Sequence, residues 1–485
     1  MSSSAHFPDL QNFQHQSDEF VSWLEANPGV NVNPKIILAD LRSSGAGRGV
    51  VARTNIAEGE ELFSIPRSLI LAVQNSDLKS LLSHDVDALG PWLSLMLVML
   101  YEYMQGAKSR WAPYFRVLPT RFDTLMFWSS AELQELQGSA IVDKIGRQGA
   151  EKSILDSIVP IVRANPALFP PIHGLASYDG DAGAAALLEL AHVMGSLIMA
   201  YAFDIEKAED DEDDAENPDD SYMTDDEEEQ LAKGMVPLAD LLNADADRNN
   251  ARLFQEEASL VMKAIKPIQE DEEIFNDYGE IPRADLLRRY GYVTDNYAPF
   301  DVIELTLNDI CQAAGLSSSD VDSQPRLQLL EEHDLLDDGY VISRPSADSS
   351  LQEILPMELV ALLTTLAQTP VEFEQRRSKN KPPKPAMDGS QASLLSKVLQ
   401  TKQLQYGTSL DQDVQLLAGL LPPQATEPEE GSSRRLKMAL QVRIGEKEIM
   451  QAVLAMLEPS VGDGSLKRTA NGEGDDSRQS KAQRI

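Results

Sequence analysis

Cysteine is almost missing from this sequence: 485 residues carry one, Cys311. A lone thiol closes no internal disulfide, which excludes a disulfide-stapled secreted scaffold and predicts a reducing intracellular compartment. Cations are scarce as well. Lys and Arg number 42 against 78 Asp and Glu, for a net charge of −36. A surface this acidic repels phosphate backbones and anionic lipid, so neither nucleic acid nor membrane is expected as a partner, whereas a basic protein is. Long apolar runs are lacking too: residues 92–100 form the longest, short of the ~20 residues a spanning helix needs. The first 14 residues have neither a basic n-region nor an apolar h-region, so no secretory signal is expected. The six histidines (His6, His15, His84, His173, His192, His333) keep no metal-ligand spacing with one another or with Cys311, so no metal is expected. No internal repeat is visible.

What is present falls into blocks. Phe13, Phe20, Trp23 and Leu24 recur at helical spacing, predicting a short amphipathic helix within residues 1–34. Residues 60–66 and 68–72 read as two short strands, the first ending before a proline. From 78 to 203 the pattern turns helical: Trp92, Leu93, Met96, Leu97, Leu100 and Tyr101 share one stripe, and 187–203 make a second apolar helix. Residues 209–229 hold 14 acidic side chains and no Lys or Arg, a self-repelling block expected to be a disordered loop. Strands resume at 235–238 and 259–264, with turn-forming residues between Asn243 and Asn250. Residues 300–458 read as helical, most clearly at 355–366 and 433–457. Between those two helices lies a proline-rich stretch with Arg376, Arg377, Lys379, Lys381 and Lys384. Residues 459–485 have little to bury and read as a flexible tail.

Three segments carry chemistry. Gly45, Gly47 and Gly49 around Ala46 and Arg48 permit close backbone approach to a ligand, although a tight turn accounts for them equally well. They form neither a dinucleotide fingerprint nor a P-loop, lacking both spacings. The second segment is the apolar run ending in Asn243, Ala244 and Asp245, which taken alone reads as a strand and turn. The third is Asn276, Asp277, Tyr278, Gly279 and Glu280, followed twelve residues after the tyrosine by Tyr290, Gly291 and Tyr292.

Taken together, in this order and spacing, the segments resemble a SET-domain protein-lysine methyltransferase. The likeness is to the Rubisco large-subunit methyltransferase-like class, and within it to the fungal ribosomal lysine methyltransferases and the animal nuclear SET proteins. Residues 47–52 match the N-terminal SET motif, 237–243 the strand ending in the Asn-His motif, and 276–280 with 287–292 the C-terminal motif. Residues 435–449 match the last helix of a partner domain. The resemblance implies an α+β fold. A SET domain over 35–299, with small β-sheets and a pseudoknot, is interrupted by a helical insert at about 75–233 that includes the acidic loop. An all-α substrate-binding domain follows over 300–458 and closes the lysine channel that a zinc cluster closes elsewhere. The implied reaction is methyl transfer from S-adenosyl-L-methionine to a lysine ε-amine, for the fungal branch on a 60S ribosomal protein.

By the same resemblance Tyr278 is the catalytic tyrosine, orienting the amine and the methyl group. Ala46, Gly47 and Arg48 hold the methionine part of the cofactor through backbone groups, and Asn243 and Ala244 hydrogen-bond it. Tyr290 lines the adenine, where a core tyrosine is the alternative, and Tyr201 makes a further cofactor contact. Ala244 departs from the wider family, which has histidine there. A backbone role survives that change and an imidazole role does not. Two alternatives stand beside the ribosomal reading: methylation of a histone or transcription factor, and a non-catalytic SET module that only binds partners. The resemblance also implies the nucleus, with the cytoplasm as the alternative. Lys467, Arg468, Lys481 and Arg484, and the cluster from Arg376 to Lys384, look like nuclear signals.

Overall fold

The computed structural model describes residues 12–42, 46–172, 174–206, 232–316, 324–420 and 431–462. The acidic block at 209–229 and most of the expected tail lie outside them. The chain divides into two compact units. One comprises Met1–Leu136, Ile141–Phe300 and Leu417–Val442; the other comprises Gln137–Ala140, Asp301–Leu416 and Arg443–Ile485.

The first unit opens with the helix Phe13–Ala26, whose buried residues Phe13, Ser17, Phe20 and Leu24 follow the three-and-four spacing of one helical face. Short strands come next: β1 (Asn31–Val32), β2 (Ile36–Asp40), β3 (Arg48–Ala52), β4 (Glu61–Pro66) and β5 (Leu71–Ala72). After the helical insert come β6 (Ala202–Ile205), β7 (Ala232–Met235), β8 (Asn243–Ala244), β9 (Ala251–Gln255), β10 (Ser259–Ala264) and β11 (Glu273–Asn276). They form three small sheets, ordered β1-β4-β10-β9, β2-β3-β11-β8 and β5-β7-β6. Among the described pairings of these strands, β8 against β11 is the parallel one, setting Asn243 beside Phe275 and Ala244 beside Asn276. A parallel pair needs a crossover connection, and here it brings two motifs some thirty residues apart to one sheet edge.

The strand expected at 235–238 stops at Met235. Pro237 offers no amide to a ladder, and Leu238 sits at φ 77°, a positive value that a side-chain-bearing residue rarely adopts. The chain turns there into a short 3₁₀ helix, Ala239–Leu241.

The insert packs the helices Pro91–Met104 and Gly180–Tyr201 against the sheets. By length and composition Gly180–Tyr201 is apolar enough to cross a membrane. Here Leu187, Ala191, Met194, Leu197 and Ile198 are buried in the core of the unit with Leu95, Met96 and Met99.

In the second unit the expectation of helices throughout meets one exception. Strands β12 (Val302–Thr306) and β13 (Gly339–Ser343) pair antiparallel, with Ile303 and Leu305 facing the core beside Tyr340 and Ile342. Alternate burial along each strand is the period-two pattern of a half-buried sheet. Helices Met357–Ala367 and Gly389–Gln403 cover them, with Ile449, Met450 and Val453 from the second half of the helix Gly431–Gly462. That helix runs past residue 458, where a tail was expected.

Candidate active site

Six of the eight residues singled out from the sequence line one pocket in the first unit: Arg48, Tyr201, Asn243, Ala244, Tyr278 and Tyr290. Ala46 and Gly47 lead directly into it at the start of β3. The Ala46 amide donates to the Leu41 carbonyl at 3.1 Å and the Leu41 amide to the Gly47 carbonyl at 2.9 Å, which pins the backbone.

The Arg48 side chain is 4% exposed and is committed to the fold. Its guanidinium donates to Ser17 Oγ (2.9 Å), the Val117 carbonyl (3.0 Å), the Phe13 carbonyl (3.0 Å) and Gln16 Oε1 (3.2 Å). It also lies 3.7 Å over the Phe13 ring, a cation–π contact. Burial draws its pKa down to about 10, so it stays cationic at neutral pH. What Arg48 leaves for a ligand is backbone.

Asn243 is fixed by its neighbours. Its amide Nδ2 donates to Glu273 Oε1 at 2.6 Å and to the Arg48 carbonyl at 3.3 Å, so both amide protons are engaged and Oδ1 is left as an acceptor. Gly49 makes the approach feasible: a Cβ there would come within 2.9 Å of Glu273 Oε1 and 3.0 Å of Asn243 Nδ2. Burial pushes the Glu273 carboxyl above its usual range, with the Asn243 hydrogen bond opposing. Ala244 contributes backbone, paired through β8 with Asn276.

The rest of the pocket is aromatic. Tyr278, just past β11, stacks on Tyr290 with centroids 3.9 Å apart and planes 7° from parallel. Tyr290 ends the helix Arg283–Tyr290, and Gly291 caps that helix at φ 74°. A Cβ on Gly291 would sit 2.8 Å from the Thr124 amide, so glycine answers both the left-handed turn and the close approach. Tyr201 ends the long helix of the insert, and Tyr292 completes the wall. Burial holds the Tyr278 and Tyr292 hydroxyls well above 10, and pushes Tyr290 up to about 12. All three are therefore neutral at physiological pH, and none stands ready as a phenolate base.

Sequence reading missed the pocket's carboxyl group. Asp240 is 6% exposed, its Oδ2 accepts from the Tyr114 hydroxyl, and its Oδ1 has no hydrogen-bond partner among the described residues. Burial raises its pKa to about 8, so at neutral pH it is mostly the neutral acid. The signal was an aspartate inside an apolar run; its partner Tyr114 lies 126 residues earlier. A cavity walled by tyrosines, one neutral acid and backbone amides can hold an organic cation against π faces and hydroxyl oxygens, and can strip water from an amine.

Comparison with known proteins follows this geometry. Residues 47–279 match the SET domain family, and residues 317–450 match the Rubisco LSMT substrate-binding family. The bovine N-lysine methyltransferase SETD6 is 30% identical over 471 residues, spanning 90% of this chain and 94% of that protein. Ribosomal lysine N-methyltransferase 4 of Saccharomyces cerevisiae is 35% identical over 314 residues, spanning 63% of this chain and 60% of the yeast protein. A structure of Rubisco LSMT bound to sinefungin and monomethyllysine superposes with a TM-score of 0.66 at 20% identity, covering 93% of both chains. At that identity the likeness speaks for the fold. The chain is a SET-domain protein with a helical partner domain. It belongs to the SET-domain N-lysine methyltransferases that carry a Rubisco LSMT substrate-binding domain.

Proposed function

We propose that this protein transfers a methyl group from S-adenosyl-L-methionine to a lysine ε-amine of a basic protein, and that the substrate is a protein of the large ribosomal subunit. The observation that carries the reading is the convergence of Arg48, Tyr201, Asn243, Ala244, Tyr278 and Tyr290 on one pocket.

The residues present suit the cofactor. The free Oδ1 of Asn243 is an acceptor, matched to an ammonium, and the Ala46 carbonyl and the Gly47 amide lie outside the bonds that pin that turn to Leu41. The stacked faces of Tyr278 and Tyr290 favour a flat ring and a nearby positive charge. S-adenosyl-L-methionine supplies an activated methyl group on a sulfonium, so the protein's work is to bind, align and exclude water.

The chain's own groups set up the acceptor. A lysine in water has a pKa of about 10.4 and is protonated; a desolvating pocket lowers that value and releases the nitrogen lone pair. An ionised carboxylate beside the amine would hold it charged, and Asp240 is kept neutral at pH 7. The Tyr278 hydroxyl, itself neutral, orients the amine by hydrogen bonding rather than removing its proton. Ala244 acts through its backbone, so the missing imidazole is compatible with activity.

The ribosomal reading draws on the yeast relative's name and on the net charge of −36, which attracts Lys- and Arg-rich proteins and raises their encounter rate. The deciding assay offers tritiated cofactor with purified large ribosomal subunits and histones side by side. Label on a ribosomal protein supports the reading; label on histones alone replaces it. The nucleus is the proposed location, and a reporter fused to residues 459–485 that stays cytoplasmic would remove the tail as its signal.

A further inference from the structure

The second unit contains a cavity that the methyl-transfer site does not use. It is open, and it gathers Arg376, Lys379, Lys381 and Lys384 along its wall. Four cations around one cavity are unexpected in a chain with a net charge of −36. Two carboxylates share the wall, Glu372 and Asp388, and both are engaged as helix caps. Glu372 accepts from the Thr369 amide at 2.9 Å and from its hydroxyl at 2.8 Å, while Asp388 accepts from the Ser390 amide at 2.8 Å. None of the four cations has a carboxylate within ion-pair distance among the described residues, whereas their neighbour Arg377 pairs with Glu374 at 3.4 Å.

The segment that carries them is stiff. The helix Pro370–Arg377 ends in a turn closed by backbone bonds from Ser378 to Glu374, Lys379 to Arg376 and Asn380 to Arg377, with Asn380 at φ 44°. Pro382, Pro383 and Pro385 then fix their own φ and hold Lys381, Pro382 and Lys384 extended. Arg376 Nη1 donates to the Pro382 carbonyl at 3.2 Å, tying this stretch to the helix end. Such preorganisation lowers the entropy lost when a ligand orders the lysines.

We propose that this cavity is a phosphate site, which receives a phosphorylated serine or threonine of a protein docked on the substrate-binding region. The shape of the charge argues for one compact dianion rather than a strand of nucleic acid. No aromatic side chain lines the cavity to stack a base, and the acidic surroundings repel a long polyanion more than a single phosphate. Arg376 offers a planar fork and the three lysines offer point charges. The inference rests on the reading that the partner is a protein, and it is independent of which lysine is methylated.

The test uses the full chain, with calorimetry of a short phosphoserine peptide, its unphosphorylated twin, inorganic phosphate and a single-stranded RNA 10-mer. The phosphopeptide is expected to bind about tenfold or more tightly than its twin at low salt, and inorganic phosphate to displace it. The triple variant K379Q/K381Q/K384Q is expected to abolish that preference. The substitution Lys152→Gln, at an exposed lysine paired only with Asp156 at 3.8 Å, is expected to preserve it. Equal binding of peptide and twin to the unaltered protein overturns the proposal without recourse to any variant. RNA binding tighter than the phosphopeptide, or a preference surviving in the triple variant, also overturns it. S-adenosyl-L-methionine titrated into the same sample reports on the methyltransferase reading separately, so the two can fail independently.

Discussion

Asp240 in the first unit and Asp413 in the second are both buried, 6% and 0% exposed, yet they hold opposite charge states. Asp240 meets a hydroxyl, that of Tyr114, and burial lifts its pKa to about 8. Asp413 meets two cations. Arg443 donates to its two oxygens at 2.7 and 3.1 Å, Lys447 to Oδ2, and the Thr408 hydroxyl to Oδ1. Desolvation works against that carboxylate too, but the hydrogen bonds from Lys447, Thr408 and Arg443 outweigh it and hold the pKa below the ordinary range. Glu446 stands between them. It is buried with Ser139 and Tyr406 as hydroxyl donors and no cation within ion-pair distance among the described residues, and burial raises its pKa to about 7. Burial alone therefore does not decide ionisation; the presence of a cation does. The tyrosine-lined pocket holds Asp240 mostly as the neutral acid at pH 7, whereas the second unit uses ionised groups to fasten its last helix.

Removing each carboxylate should have very different costs. Asp413→Ala leaves Arg443 and Lys447 buried without their partner, and is expected to cost about 3–5 kcal/mol in urea unfolding. Asp240→Asn keeps shape, neutrality and the Tyr114 hydrogen bond, and is expected to cost under about 1 kcal/mol at pH 7. Equal costs would show that the two acids are in the same state and would sink the distinction.

Tyr278→Phe comes next in size. With the orienting role proposed for Tyr278, loss of its hydroxyl is expected to slow single-turnover methylation about 100-fold, because misalignment of the reacting atoms is costly at that scale. Cofactor affinity by calorimetry should stay within a few-fold, since the ring stack on Tyr290 is retained. An unchanged rate would make the pocket an aromatic cluster without chemistry.

A smaller effect lies in the pH dependence of stability. The folded Asp240 carries its proton up to about pH 8, while the unfolded chain releases it near 3.8. Between those values the native state binds the extra proton, so its contribution is complete below pH 3.8 and is lost progressively as pH rises to about 8. Glu446, raised from 4.5 to about 7, acts in the same direction. Thermal midpoints of the unaltered protein should therefore fall from pH 5 to pH 8 more steeply than those of Asp240→Asn. Parallel curves would mean that Asp240 is ionised in the fold.

Much of the pocket was legible in sequence because its residues sit in local patterns. Glycines flank Arg48, Asn243 ends an apolar run, and Tyr278 and Tyr290 keep a fixed separation. Asp240 and Glu273 were not legible, since their states are set by burial, and their partners Tyr114 and Asn243 are distant in sequence and adjacent only after folding. Arg48 shows the same limit from the other side. Its position was legible, but its side chain turned out to anchor the helix Phe13–Ala26. Likewise β12 and β13 were hidden in a helical stretch, because either strand alone is five residues long and only the pairing fixes it.

Ala244→His makes the smallest change and probes the medium most directly. Ala244 lines the pocket, and its backbone is held by β8 pairing with Asn276. An imidazole placed there enters surroundings that have kept Asp240 neutral. Desolvation should likewise disfavour its cation and drop its pKa below the usual ~6.5. At pH 8 the variant should thus methylate within about threefold of the unaltered protein, because the proposed cofactor contact is backbone and the new ring is uncharged. Below pH 6 any fraction that does protonate adds a positive charge beside the site for a cationic cofactor, so affinity should fall with acid more steeply than in the unaltered protein. A variant whose cofactor affinity is pH-independent from 8 to 5.5 would show a ring that never charges, the strongest form of the contrast with Asp413. A variant already crippled at pH 8 would place side-chain space, rather than charge, in control of this position.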